Sequence, residues 1–196
     1  MSLREEIQDP LRRFPRRRIR RWAARRAAVA ITVVTSGNGP EVLLTRHAAA
    51  LRTHPGPYAL PGGRTESGES APDAARRELA EQLRMQLPSN SVLGLLDDYE
   101  ARSGLLITPV VIWAGEHSGP LRAQDGGVCP VPFTDLDIEP VFVAVPGSDR
   151  PVIRLSLHGE WLHAPTAAVL YQFREVVIYR RRTRVAHFDE PIFACH

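Results

Sequence analysis

The feature that most constrains this chain is a stretch of 24 residues, "HAAALRTHPGPYALPGGRTESGES", over positions 47–70. It is dense in Gly, Pro and Ser, which interrupt regular structure for different steric reasons. Connections of that length inside a compact domain are usually functional or disordered. The flanks, by contrast, are regular. Upstream, "AAVAITVV" (27–34) and "EVLLTR" (41–46) are β-rich runs joined by "TSGNGP", whose Gly and Asn suit a tight reversal, so a hairpin is expected. Downstream, Ser70 with Asp73 three residues on makes a capping-box-like start, and Pro72 is tolerated in the first turn. A helix over 71–87 follows, with Ala75, Leu79 and Leu83 as its buried stripe and Pro88 near its end.

Further strand-like runs come at "SVLGLLDDY", "LLITPVVIWAG", "GVCPVPF", "PVFVAV" and "VIRLSL". A last helix is expected near Pro165 to Tyr179, where Leu170, Phe173 and Val177 recur at helical spacing. Strands, a helix, more strands and a closing helix point to a mixed sheet flanked by helices. The tail "TRVAHFDEPIFACH" reads as an extended strap along the surface.

With 196 residues the chain suits one domain with an arm. Its sequence pI is about 9.3, but the charge is uneven. Residues 1–26 hold ten arginines against three acids, a net of +7; the remaining 15 arginines and 19 acids give −4 for residues 27–196. The division expected is a basic arm over 1–26, a catalytic domain over 27–180 and the strap over 181–196. The arm fits either a phosphate-rich partner or anionic membrane surface, or a helix lying on its own acidic body, the commoner fate of charge runs. It is the only hint of nucleic acid, which is not expected as a partner. "AAVAITVV" is far shorter than the ~20 residues of a membrane span and makes a poor signal sequence. Two widely separated cysteines, Cys129 and Cys195, fit a reduced, cytoplasmic protein and lack metal-ligand spacing.

The chemistry sits on the first helix after the long stretch. At about 100° per residue, Glu78, Glu81 and Gln82 share one face. Three oxygen-bearing side chains on a rigid face suit a hard cation such as Mg²⁺, and Arg77 is spaced to ion-pair with Glu81. Many solvated helices carry such residues, so the face alone decides nothing; the segment before it does.

From Gly63 the chain reads "GRTESGESAPDAARRELAEQLRM". This resembles the signature of the Nudix family, G-x5-E-x7-R-E-U-x-E-E-x-G-U with U aliphatic, through Gly63, Glu69, Arg77, Glu78, Leu79, Glu81 and Met85 in register. Two positions depart: Gln82 stands at a glutamate position and Arg84 at a glycine position. Upstream, "LLTRHAAALRTHPGPYALPGG" resembles the additional motif of the coenzyme A diphosphatase branch through Leu43, Leu44, Thr45, Arg46, Leu51, Arg52, His54, Gly56, Pro61, Gly62 and Gly63. "WLHAPTA" looks loosely like a further element of that branch.

The resemblance implies an α/β (α+β) fold, a Nudix-like α/β/α sandwich with a mixed β-sheet and a catalytic loop-helix. It implies metal-dependent hydrolysis of a phosphoanhydride in a nucleotide-type small molecule, with Mg²⁺ or Mn²⁺ as cofactor, and it leaves room for a homodimer. Glu78 would be a metal ligand or the base, Glu81 a ligand, Gln82 the place of another ligand, and Arg77 the residue that orients Glu78. Arg46, Arg52, Gly62 and Gly63 would contact substrate, the arginines through phosphate oxygens; their structural alternative is pairing with Glu66 or Glu69 and shaping turns. Glu69 and His54 would support the loop. Glu100, Glu116 and Asp125 stand in later loops as further candidate bases or ligands. The upstream motif implies coenzyme A or an acyl-CoA as substrate, split to 3′,5′-ADP and (acyl-)4′-phosphopantetheine; an amide at position 82 weakens the cation site by one charge, so the competing readings are a non-catalytic nucleotide binder or regulator, or a Nudix hydrolase for another substrate such as ADP-ribose or a nucleoside triphosphate.

Overall fold

The structure, a computed structural model, describes residues 1–21, 25–37, 39–46, 58–117, 121, 123, 127–145 and 148–190. It opens with helix α1 (Leu3–Arg13), started by a reciprocal capping box between Ser2 and Glu5. Strands β1 (Arg26–Ser36) and β2 (Gly39–Arg46) form the expected hairpin. Then come β3 (Tyr58–Ala59), β4 (Gly62–Arg64), helix α2 (Ala71–Leu83), β5 (Val92–Leu95), β6 (Tyr99–Glu100), β7 (Leu106–Glu116) and β8 (Gly127–Pro132). A second, antiparallel sheet is made by β9 (Val141–Val143), β10 (Val152–Leu157) and β11 (Glu160–His163). Helix α3 (Thr166–Phe173) runs directly into a π-helical turn, Arg174–Ile178.

The main sheet is mixed because β1 pairs parallel with β7 but antiparallel with β2 and β4. The hairpin strands pair over Val33–Ser36 and Gly39–Val42 and then part; β3 joins the end of β2, and β4 lies beside the start of β1. This fork seats the glycine-rich segment against the core. A Cβ on Gly62 would lie 2.4 Å from the Ala28 carbonyl oxygen, so only glycine permits the approach.

"AAVAITVV" is apolar on both faces because both are covered. Ala28, Ala30 and Val34 meet Ala74, Ala75, Leu79 and Leu83 of α2, and the alanines on each side let helix and sheet close up. Ala27, Ile31 and Val33 join the opposite cluster with Ile7, Leu11 and Phe14 from the N-terminal segment and Leu170 and Phe173 from α3. Helices on both faces of a curled mixed sheet give the expected α/β/α, α+β architecture.

The basic arm lies on the acidic body. Asp98, buried, accepts hydrogen bonds from Arg16 (2.6 Å), the Ile19 amide (2.9 Å) and Thr108 (2.7 Å). Its neighbour Asp97 accepts from the Arg17 amide (2.6 Å), Arg184 (2.8 Å) and Gln172 (3.0 Å). Arg21 pairs with Glu100.

Three expectations change. Helix α2 stops at Leu83, not at residue 87: Arg84 turns into the left-handed region (φ 54°), and Arg76 Nε donates to the Leu87 carbonyl (2.8 Å), drawing the chain back along the helix. The strands β3, β4 and β11, of two, three and four residues, lie outside the strand-like runs expected from the sequence because they are too short to show a period of two. The strap is more than a surface feature, since Val185 and Phe188 are buried in the core. Among the described residues, no helix is long and apolar enough to cross a membrane.

Candidate active site

The site is built where α2 passes over β4. Ser70 caps the helix, its hydroxyl accepting from the Asp73 amide (3.3 Å). The apolar stripe then fixes the helix's rotation on the sheet, which leaves Arg77, Glu78, Glu81 and Gln82 along the edge facing the glycine segment. Glu78 is buried against it. A Cβ on Gly63 would sit 2.0 Å from Glu78 Oε1, so the missing side chain is the space the carboxylate occupies.

Arg77 is the hub of the charges. Its Nε and Nη2 hold Glu69 in a two-point bond (2.9 and 3.1 Å), Nη1 donates to Glu78 Oε1 (2.9 Å), and Nη2 also donates to the Arg64 carbonyl (2.9 Å). Glu81 is more loosely attached, 3.5 Å from Nη1, with its side chain 57% exposed. Such forked guanidinium–carboxylate bonds are the strong, orienting kind. They hold the Glu69 carboxyl below the usual glutamate range, and the same bonds, with those to Glu78, raise Arg77 further above its already high value. Glu69 also accepts from the Glu66 amide (2.9 Å), which ties the loop to the helix.

Gln82 completes the group. Its Nε2 donates to Glu78 Oε2 (2.7 Å) and to the Gly62 carbonyl (3.0 Å). Both oxygens of Glu78 are therefore engaged, one by Arg77 and one by an amide. The available donors, two carboxylates, the Gly62 carbonyl and the Gln82 amide oxygen, are hard oxygens and fit a hard cation in kind. Among the described residues, no three His, Cys, Asp or Glu side chains are spaced to hold an ion.

A sequence model of the NUDIX domain matches residues 24–142. The chain belongs to the Nudix family. It is 41% identical over 88 residues to the uncharacterized Nudix hydrolase NudL of Citrobacter koseri, and 38% identical over 88 residues to that of Pectobacterium atrosepticum. Each match covers 44% of this chain and 45% of the relative, so the likeness spans about half the length of those curated relatives. A solved Nudix hydrolase from M. smegmatis shares the fold, with a TM-score of 0.51 and 24% identity, covering 82% of this chain and 91% of that one. Nudix hydrolases generally use divalent metal ions and act on nucleotide-derived substrates.

The Nudix segment thus brings Gly62, Gly63, Glu69, Arg77, Glu78, Glu81 and Gln82 into one cluster. Arg46 lies elsewhere: it leaves β2 on the sheet face shared with Leu44, opposite the one that packs on α2, with its guanidinium 5.5 Å from the Tyr58 ring centroid and 3.9 Å from Glu160. Glu69 is taken by Arg77, so it is not the partner of Arg46. Arg52 and His54 fall outside the described residues, as does Asp125. Glu100 is paired with Arg21, and Glu116 ends β7. Sequence reasoning missed the carbonyls of Gly62 and Arg64, because every residue has a carbonyl and only packing selects which ones face a site. It also missed Tyr58 and Cys129 beside Arg46; burial pushes both above their ordinary pKa values.

Proposed function

We propose that this Nudix chain hydrolyses a phosphoanhydride in a nucleoside diphosphate derivative, coenzyme A or an acyl-CoA, releasing 3′,5′-ADP and (acyl-)4′-phosphopantetheine. The observation that carries the reaction class is the cluster in which Arg77 joins Glu69, Glu78 and Glu81 beside the Gly62–Gly63 backbone. The substrate class rests on the motif over residues 43–63. Glu78 and Glu81 would hold Mg²⁺ or Mn²⁺, with Gln82 at the third ligand position. A bound divalent ion supplies neutralisation of phosphate charge and acidification of water. Arg77 orients Glu78 through its bond to Oε1, Glu69 fixes Arg77, and glycines 62 and 63 give phosphate oxygens room to approach backbone. A carboxylate freed from its present bonds can take a proton from attacking water.

A panel of coenzyme A, acetyl-CoA, ADP-ribose and nucleoside triphosphates, each with Mg²⁺ and Mn²⁺ titrated, tests this. The expected result is 3′,5′-ADP from coenzyme A, lost in Glu78→Gln; no product from either coenzyme A ester or thiol at any metal level sinks the substrate proposal. Gln82 favours one other reading, a Nudix-fold binder without turnover, because its amide already satisfies Glu78. Micromolar binding of coenzyme A with no product in the same panel selects it.

A further inference from the structure

We propose that Gln82 is a built-in substitute for one cation: its carboxamide nitrogen fills the seat between Glu78 Oε2 and the Gly62 carbonyl, so this Nudix site is preassembled there without metal. The inference rests on the Glu78–Gln82 face being the reacting site. Its ground is the convergence of two acceptor oxygens on one nitrogen, at 2.7 and 3.0 Å. An ionised carboxylate and a carbonyl cannot donate, so only a donor or a positive ion can sit between them. That same requirement fixes which end of the amide points inward. Glutamine and glutamate have the same length and branching. Replacing one by the other exchanges an NH₂ for an oxygen at a point where two oxygens already meet.

The consequence is electrostatic. With glutamate at 82, a second anionic oxygen would lie within hydrogen-bond distance of Glu78, and like charges that close need a cation or a shared proton between them. With glutamine, Glu78 is compensated internally, by Arg77 on Oε1 and by the amide on Oε2. Glu81, exposed and only loosely held, is the freer of the two carboxylates that would hold an ion. The chain therefore takes one divalent ion fewer than its Gln82→Glu variant and does not depend on metal to hold Glu78 in place.

The test needs no turnover. Free Mn²⁺ is counted by electron paramagnetic resonance during titration of the full chain, and melting is followed in EDTA and in Mn²⁺. Gln82→Glu should bind one more Mn²⁺ per chain than wild type. It should also melt lower than wild type in EDTA and be raised further by Mn²⁺ than wild type is. Gln82→Leu, of similar bulk but without donors, should melt lower in EDTA and gain no ion. Wild-type stoichiometry and affinity in Gln82→Glu overturn the proposal, as does wild-type melting of Gln82→Leu in EDTA. Should Gln82→Leu not fold, Gln82→Glu decides alone. If these results hold while no nucleotide is hydrolysed, the proposed activity fails and the role of Gln82 stands.

Discussion

At the scale of single residues, the site is governed by who neutralises whom. Arg77 touches two nearly buried carboxylates and the Arg64 carbonyl at once, so truncating it leaves Glu69 and Glu78 without a counter-charge. Arg77→Ala is expected to lower kcat by about 10- to 100-fold with little change in KM, the cost usual for a residue that orients ligands without touching substrate. Steady-state hydrolysis of whichever substrate the panel identifies measures it. A variant with wild-type kcat, or one changed in KM alone, would remove Arg77 from its orienting role. The identities at 77, 78 and 81 were readable in the sequence because their spacing is rigid on a helix, and Glu69 through its fixed interval in the family motif. The direction in which the Gln82 amide points was not, since one of its two partners, the Gly62 carbonyl, comes from β4.

At the scale of elements, the end of α2 shows what the second departure does. The glycine position of the family pattern is the residue where the helix turns into left-handed backbone, and here Arg84 adopts φ 54°. A side chain in that conformation costs about 1 kcal/mol or slightly more relative to glycine. Arg84→Gly should therefore stabilise the protein by about 1 kcal/mol and raise its melting temperature by about 2 to 4 °C. An unchanged or lower melting temperature, read by calorimetry, would show that the Arg84 side chain makes compensating contacts. The helix expected over 71–87 places Arg84 in its interior, where arginine is a good helix former. Helix propensity does apply inside a helix, but the residue lies one step past its end, and the tertiary bond from Arg76 to Leu87 sets that end.

At the scale of the whole molecule, the N-terminal segment is bound to the domain through buried charge. Asp98 serves Arg16, Ile19 and Thr108 from a position that is 1% exposed. Removing one partner of a buried ionic cluster strands the others, at a typical cost of about 3 to 5 kcal/mol. Asp98→Ala should lose that much in urea unfolding and expose residues 1–21 to limited proteolysis. A wild-type midpoint with the segment still protected would mean that Ile7, Leu11 and Phe14 hold it by apolar contact alone.

Local pattern along the chain was enough to specify the hairpin, the long strand β7, the start and buried stripe of α2, and the register of Gly63, Glu69, Arg77, Glu78 and Glu81. All of these follow from short-range periodicity, capping and fixed spacing, which one chain segment carries alone. Packing between distant segments sets where α2 ends, lets the forked hairpin admit β3 and β4, and brings the arginines of the arm to Asp97 and Asp98. It also decides that Arg46 faces away from the helix and that the Gln82 amide bridges Glu78 to Gly62. Each of these depends on atoms brought together from distant segments, many of them backbone carbonyls and amides that residue identity leaves unmarked.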